Sequence, residues 1–266
     1  MPWNMPNNLK ILFLGDIVGK PARRYLQELI PKLRKEYDFI IANGENAAGG
    51  SGLTEKTAQE LFACGIDVLS GGDHTFKKRE ALAVLEREDV LRPLNFPPST
   101  PGRGLLIKEK GSVKLAVVNL LGRVFLPPAD CPFRTIDRVI PEIKKETPVI
   151  MVDFHAEATS EKLALGYFLA GKVSAVLGTH THIPTADARI IDGYTAYITD
   201  VGMTGSFDSV LGRRKEDIIE RFLTNLPQRF NLAEENVRAQ GVVLEIDSSS
   251  GRALKIERVE FCQDEL

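Results

Sequence analysis

The sequence has few of the residues that build disulfide scaffolds or thiolate metal sites. Its three cysteines, Cys64, Cys131 and Cys262, lie far apart and form no CxxC pair, so neither a disulfide framework nor a thiolate zinc site is expected. No apolar run approaches the ~20 residues that a membrane helix needs. The first ten residues, MPWNMPNNLK, lack the basic and apolar regions of a signal peptide. We therefore expect a cytoplasmic protein without a membrane partner.

A long run of one charge is also missing. The chain has 34 basic and 36 acidic residues, and its formal net charge is -2. We therefore expect no general nucleic-acid surface and no stable nucleic-acid complex. With 266 residues, of which 43% are hydrophobic, the chain can build one large core. We predict a single domain over residues 1–266, with a short tail at residues 1–9.

Apolar runs of strand length alternate with segments of helical period, which favours an α/β protein with a parallel sheet covered on both faces. The predicted helices are residues 22–36, 54–64, 77–88, 137–146 and 160–169. The strands between them are KILFLGD, DFIIANGEN, GIDVLSGGDH, PVIMVDFH and VSAVLGTH. A proline-rich stretch at 90–134 breaks this rhythm and contains a predicted hairpin, GLLIKEKG with VKLAVVNLLG. A second hairpin is predicted in GVVLEIDSSSGRALKIERVEF, and the tail is expected to complete a second sheet.

Acidic residues and all four histidines stand where predicted strands end. They are Asp16, Glu45, Asp73, His74, His155, His180 and His182, with Asn46 beside Glu45. Any one of them alone fits a turn, a helix cap or a packed core side chain. Because α/β sheets bind ligands at the carboxyl ends of their strands, the whole set favours a binding site.

Carboxylate and imidazole groups together suit manganese, iron or zinc. His180 and His182 are two apart and would point the same way if the segment were extended. Five or six ligands exceed the need of one ion with open positions, so we predict two ions. Two ions ~3.5–4 Å apart can activate a bridging water for attack on a phosphate ester. The sequence therefore predicts a dinuclear hydrolase.

Ordered motifs in the chain resemble those of the calcineurin-like metallophosphoesterases. They are GD at 15–16, NGEN at 43–46, GDH at 72–74, FH at 154–155 and GTHTH at 178–182. The longer segments ILFLGDIVGKPAR, NGENAAGGSGLT, NLLGR, HAEATSEK and GTHTHIPTAD resemble the bacterial YmdB-type branch more closely. This likeness runs from about Lys10 to Gly205.

The resemblance implies a four-layer α/β/β/α sandwich with mixed sheets. It also implies two iron or manganese ions, with zinc as a further option, and hydrolysis of cyclic nucleotides, chiefly 2′,3′-cyclic ones. The substrate would be a small-molecule nucleotide, and the protein would be a homo-oligomer. If the matching positions have the same roles as in the family, the first ion would be held by Asp16, Glu45 and His182, with Asn46 as a possible ligand. Glu45 would bridge to the second ion, held also by Asp73, His155 and His180, and His74 would be the acid or phosphate-contacting residue.

Two positions depart from the motifs. The wider superfamily has a histidine where this chain has Val18, which leaves the first ion with fewer protein ligands. The family usually has asparagine where this chain has Asp73. The extra charge should tighten cation binding and weaken attraction for an anionic phosphate, so we predict that Asp73→Asn keeps or increases turnover.

Other residues have weaker sequence signals. Arg123 could contact the phosphate or the base, or form a structural salt bridge. Phe125 could stack on a nucleobase or belong to the core. Three acids are candidate partners for metal-bound histidines: Asp153, Glu157 and Asp200.

Three other functions fit the same sequence less well. A phosphomonoesterase or nucleotidase could use the same ions. A sensor could bind a cyclic nucleotide without hydrolysing it. A purely structural protein would leave the acids and histidines at the strand ends unexplained.

Overall fold

The computed structural model describes residues 8–263. Most of the tail predicted at residues 1–9 lies outside the described residues. Its last two residues, Asn8 and Leu9, are already the start of the first strand. Within residues 8–263, no helix is long and apolar enough to cross a membrane.

Strands and helices alternate through the first two thirds of the chain. The strands are β1 (Asn8–Leu14), β2 (Asp16–Ile17), β3 (Phe39–Asn43), β4 (Val68–Ser70), β5 (Leu105–Lys110), β6 (Val113–Leu121), β7 (Ile150–His155), β8 (Ala175–Thr179), β9 (Arg189–Ile191), β10 (Thr195–Ile198), β11 (Met203–Ser206), β12 (Val237–Asp247) and β13 (Ala253–Cys262). The helices are α1 (Gly19–Leu33), α2 (Glu55–Cys64), α3 (Ala81–Val84), α4 (Pro132–Glu146), α5 (Thr159–Leu169) and α6 (Lys215–Thr224).

Both sheets are mixed, as predicted. The first has the order β2-β11-β12-β1-β3-β4, with β13 paired to β12. In it, β1, β3 and β4 run parallel, whereas β12 is antiparallel to β1, β11 and β13. The second has the order β5-β6-β7-β8-β10-β9, in which β6, β7, β8 and β10 run parallel and the two edge strands antiparallel.

Three apolar clusters separate four layers. Strand side chains alternate between faces, so Leu12 of β1 packs under α1 and α2 while Phe13 enters the space between the sheets. There Phe13 meets residues of the second sheet such as Met151. The opposite face of that sheet, including Val152, packs against α4 and α5 through residues such as Ile136. This is the predicted α/β/β/α order.

Local signals explain why α2 begins and ends where it does. The side chain of Thr54 accepts from the backbone N–H of Thr57, and the Thr57 hydroxyl in turn accepts from the backbone N–H of Thr54. These contacts form a capping box. Gly65 ends the helix with φ 115°, a left-handed conformation that glycine adopts without strain.

Several predicted boundaries need correction. The helix predicted at 77–88 shrinks to Ala81–Val84, because the chain turns to form a parallel bridge between Leu69 and Val90. The helix predicted at 137–146 begins earlier, at Pro132. The final hairpin forms as predicted, but β12 and β13 join the first sheet, and β9 and β10 complete the second. The short strand β11 was not predicted.

Candidate metal centre

The predicted ligands gather where the two sheets present the carboxyl ends of their parallel strands. Asp16 follows β1, and Glu45 follows β3. Asp73 lies in the turn after β4, His155 is the last residue of β7, and His180 follows β8. These ends lie close together although they belong to different sheets, so the sandwich assembles the site from distant segments.

One group contains Glu45, Asp73, His155 and His180, whose ligand atoms all lie within 4.8 Å of one another. His155 Nε2 lies 3.1 Å from Glu45 Oε1 and 3.2 Å from Asp73 Oδ1. His180 Nδ1 lies 3.4 Å from Asp73 Oδ1 and 3.0 Å from His155 Nε2. Ligands at about 2.1 Å from one ion can be at most about 4.2 Å apart. A shift of about half an ångström would therefore let all four hold one ion.

A second group lies beside the first and shares Glu45 with it. The Asn46 carboxamide Nδ2 is 3.2 Å from Asp16 Oδ1, 3.4 Å from Glu45 Oε1 and 3.3 Å from His182 Nε2. His182 Nε2 is 3.7 Å from Asp16 Oδ1. The backbone N–H of His180 donates to Asp16 Oδ2 at 3.0 Å, which ties the two groups together. The geometry thus brings together all seven side chains that the sequence nominated as ligands.

The charges of the site favour a cation. Asp16 and Glu45 are almost wholly buried, and Asp73 is largely buried. Burial alone would lower the pKa of His155, but the charge of Glu45 and the hydrogen bond that His155 donates to Asp73 hold that pKa well above its usual value. Burial likewise opposes ionisation of Asp73, yet hydrogen bonds from His155 and His180 keep the pKa of Asp73 far below its usual value.

These carboxylates and imidazoles fit divalent first-row metal ions. Buried charges are stable only when they are paired or coordinate a metal. Asp16, Glu45 and Asp73 bring three carboxyl groups to one buried site, and a bound cation would neutralise their charge. Mixed oxygen and nitrogen donors suit manganese, iron or zinc better than magnesium or calcium.

His74 lies at the opening of the site. Its side chain is 32% exposed, and its backbone N–H donates to Glu45 Oε2 at 2.8 Å. Its ring Nδ1 lies 2.7 Å from Asn46 Oδ1, and because a carbonyl oxygen accepts, Nδ1 carries the proton in this contact. Nε2 lies 3.5 Å from Asp73 Oδ2. The ring is thus held by one nitrogen while the other faces the carboxylate group.

Gly72 explains how the turn after β4 approaches the ligands so closely. A Cβ at this position would lie 2.3 Å from His155 Cδ2 and 2.4 Å from Glu45 Oε2. Any side chain here would push both ligands apart. The glycine in the GDH motif is therefore required by the packing of the site.

A buried chain of hydrogen bonds through Thr179 and Asp153 orients the His155 ring. Its Nδ1 lies 2.9 Å from Thr179 Oγ1, and the Thr179 hydroxyl donates to Asp153 Oδ1 at 2.7 Å. Since that hydroxyl already gives its proton to Asp153, it accepts from His155 Nδ1–H, which leaves Nε2 as the ligand atom. Burial raises the pKa of Asp153 to about 6. Thr179 was missed in the sequence, since a threonine at a strand end has no distinctive signal.

The three candidate partner acids differ in what they contact. Glu157 Oε2 lies 3.0 Å from His180 Nε2, a direct contact with the ring. Asp153 reaches His155 indirectly, through the Thr179 hydroxyl and past the Asn43 carboxamide, whose Nδ2 lies near both. Asp200 instead accepts from the backbone N–H of Thr181 at 3.1 Å, so it acts on the loop between the two histidines.

Two further candidates lie on the loop after β6. Arg123 is exposed, and its backbone N–H donates to Glu161 Oε1 at 3.1 Å. A substrate contact by its side chain stays a prediction. Phe125 is 89% exposed with φ 60°, so it does not belong to the core. Its stacking on a nucleobase also stays a prediction.

Two facing mixed sheets, helices on both outer faces and an acid–histidine cluster at their carboxyl edge define a fold and site of the metallophosphoesterase class. Residues 12–259 match the family described as YmdB-like protein. The chain belongs to this YmdB-like family.

Similar proteins agree with that assignment. A Bacillus subtilis protein named 2′,3′-cyclic-nucleotide 2′-phosphodiesterase is 51% identical over 97% of this chain and 99% of its own length. A crystal structure of a Thermus thermophilus protein is 43% identical, with a TM-score of 0.91 over 96% of this chain and 99% of that one. A Mycoplasma pneumoniae protein described as a novel phosphatase is 35% identical, with a TM-score of 0.90 over 97% of this chain and 95% of that one.

Proposed function

We propose that this protein is a cytoplasmic phosphodiesterase that uses two divalent metal ions to hydrolyse cyclic nucleotides, with 2′,3′-cyclic nucleotides preferred over 3′,5′-cyclic ones. The observation that carries the proposal is the convergence of Asp16, Glu45, Asp73 and three histidines at one edge of the sandwich. The named activity of the Bacillus subtilis relative supports the choice of substrate.

Glu45 is the residue best placed to serve both ions. One of its oxygens, Oε1, is near both His155 Nε2 and the Asn46 carboxamide. Asp73, His155 and His180 complete one ion's ligands, whereas Asp16 and His182 complete the other's. Asn46 would turn its carboxamide oxygen toward this second ion, since an amide rotated by 180° fits the same space. Iron or manganese suits these donors best, with zinc as a further option.

Two bound ions would supply an activated water and neutralise the charge of the phosphoryl oxygens. His74 would then protonate or hydrogen-bond the ribose oxygen that leaves. With the carboxamide oxygen turned to the ion, Asn46 Nδ2 would donate to His74 Nδ1, so Nε2 would carry the proton and deliver it. The partial exposure of His74 allows a substrate to reach it.

Hydrolysis of 2′,3′-cyclic AMP tests the proposal. Metal-free protein would be loaded with manganese, or with ferrous iron under anaerobic conditions, and product formation would be followed chromatographically. We expect turnover that depends on the added metal and is abolished in Glu45→Ala and His180→Ala. Glu157→Gln is a milder comparison, because Glu157 contacts the His180 ring from outside the ligand group. A metal-loaded wild type without turnover would refute the proposal.

A phosphomonoesterase is the second candidate, favoured by the description of the Mycoplasma pneumoniae relative as a phosphatase. Rates on bis-p-nitrophenyl phosphate and p-nitrophenyl phosphate separate the two activities. Tight binding of 2′,3′-cyclic AMP without hydrolysis would instead identify a sensor. Self-association also stays a prediction, which light scattering of the purified protein tests.

A further inference from the structure

A lysine and an aspartate form an ion pair beneath the loop that carries His180 and His182. Lys162 of α5 is 1% exposed and Asp200 is fully buried. Lys162 Nζ donates to Asp200 Oδ2 at 2.7 Å. Lysine is almost never this deeply buried unless it is paired. The contacts that the Lys162 side chain makes inside the protein therefore have to account for its burial.

Those contacts include the peptide groups on both sides of His180. Lys162 Nζ donates to the backbone carbonyl oxygen of Thr179 at 2.7 Å. Asp200 Oδ2 accepts from the backbone N–H of Thr181 at 3.1 Å. The residue before the histidine and the residue after it are therefore attached to the two members of one ion pair.

The far end of the loop is attached to the same aspartate. The Thr185 hydroxyl accepts from the backbone N–H of Asp200 at 2.9 Å. The backbone N–H of Thr185 donates to the Asp200 carbonyl oxygen at 3.0 Å. The other carboxylate oxygen, Asp200 Oδ1, accepts from the backbone N–H of Gly202 at 2.9 Å. Asp200 thus anchors both ends of the loop to the strand region after β10.

The loop needs such anchoring because its backbone is strained. His180 has φ 101° and His182 has φ 64°, values in the left-handed region that favours glycine. A non-glycine residue in this region is strained and persists there only when its surroundings enforce it. Without enforcement, both rings would turn away from the other ligands.

Stability alone does not explain the pair. Desolvating two charges is costly, and replacing a buried ion pair with uncharged side chains is often neutral for folding. We propose that Lys162 and Asp200 are positioning residues that hold the His180–His182 loop in its strained, metal-binding conformation. This inference rests on the metal centre of the proposed function, but not on the identity of the substrate.

Lys162→Met/Asp200→Asn is the variant that tests it. The change removes both charges together, and the new carboxamide can still accept one backbone N–H. A matched control is Lys172→Met/Asp137→Asn, since Lys172 and Asp137 form a half-exposed pair at 3.2 Å in the helical layer that contains α5. Manganese binding to metal-free protein is measured by calorimetry, and unfolding by urea in the presence of a chelator.

We expect the test variant to bind manganese about 10–100-fold more weakly than the wild type. Its urea midpoint should fall, because the Thr179 carbonyl and one backbone N–H lose their partners, but the metal-free variant should remain folded without urea. Raising the manganese concentration by the same factor should restore kcat. The control should match the wild type in every measurement. Should the double variant not fold, Lys162→Met alone is measured in the same way, since the Asp200 carboxylate keeps two backbone N–H donors.

Manganese affinity equal to that of the wild type would overturn the inference. So would a loss of affinity that is explained by unfolding of the metal-free variant in the absence of urea, because the pair would then serve folding alone. A wild type that binds manganese but leaves cyclic phosphodiesters intact would refute the proposed function. That result would leave the comparison of manganese affinities valid.

Discussion

Removing the buried hydroxyl of Thr179 should show how much the orientation of the His155 ring contributes to metal binding, because the ring itself remains. Thr179→Val keeps the shape of the side chain and deletes the oxygen that accepts from His155 Nδ1–H and donates to Asp153 Oδ1. All three side chains are fully buried, so water cannot replace that oxygen. Asn43 Nδ2, 3.4 Å from His155 Nδ1, is itself a donor and cannot act as the acceptor.

The expected magnitude follows from the two contacts. Each buried polar group left without its partner costs about 1–3 kcal/mol, so the loss of two partners should cost the metal-free protein about 2–6 kcal/mol of its free energy of unfolding. A typical domain has 5–15 kcal/mol, and the variant should therefore still fold. Loss of an oriented tautomer should weaken metal binding by about 10–100-fold.

The assay combines urea unfolding with chelator and calorimetric titration with manganese, both at pH 8. At that pH Asp153, whose pKa burial raises to about 6, is ionised in the wild type. Thr181→Val is the matched control. Within residues 8–263, the Thr181 hydroxyl forms hydrogen bonds only with the exposed backbone of Ile183, at 3.4 Å. If Thr179→Val loses stability but binds manganese as tightly as the wild type, the orienting role of the hydroxyl is refuted.

Three other predictions follow from the site and its surroundings. His74→Ala should lower kcat by about 10²-fold or more with both metals retained, and a smaller loss measured at saturating metal would exclude a general acid. Asp73→Asn should keep or raise turnover while weakening metal binding, because one of the charges around the ion disappears; elemental analysis showing loss of both metals would contradict this. Burial raises the pKa of the Cys64 thiol to about 11, so peptide mapping after iodoacetamide treatment at pH 8 should find Cys64 less labelled than the half-buried Cys131 and Cys262. Equal labelling of all three would be the contrary result.

The convergence of the candidate ligands could be predicted from sequence because their signal is local. Each stands at the end of an apolar run, and the parallel order of strands brings such ends to one edge. His155 illustrates this, since PVIMVDFH is recognisable as a buried strand that stops at a histidine. The resemblance to a known family added the order of the motifs and the pairing of distant ones.

Features that depend on distant backbone contacts could not be predicted. β2 has only two residues, and its pairing with β11 joins segments almost 190 residues apart in the chain. The left-handed conformation of His180 violates the local preference of histidine, and only the folded surroundings explain it. Lys162 looked like an ordinary helix residue, because nothing near it in the sequence indicates burial.

The difference between the predictable ligands and the unpredictable backbone contacts has a physical origin in what each kind of residue contacts. A metal ligand must be a carboxylate, an imidazole or a carbonyl oxygen, so its type alone carries information. A residue that holds a backbone conformation, as Asp200 does at Thr181 and Gly202, contacts peptide groups that every sequence has. Buried charges and strained backbone angles both reduce stability, and the three apolar layers of the sandwich offset that cost.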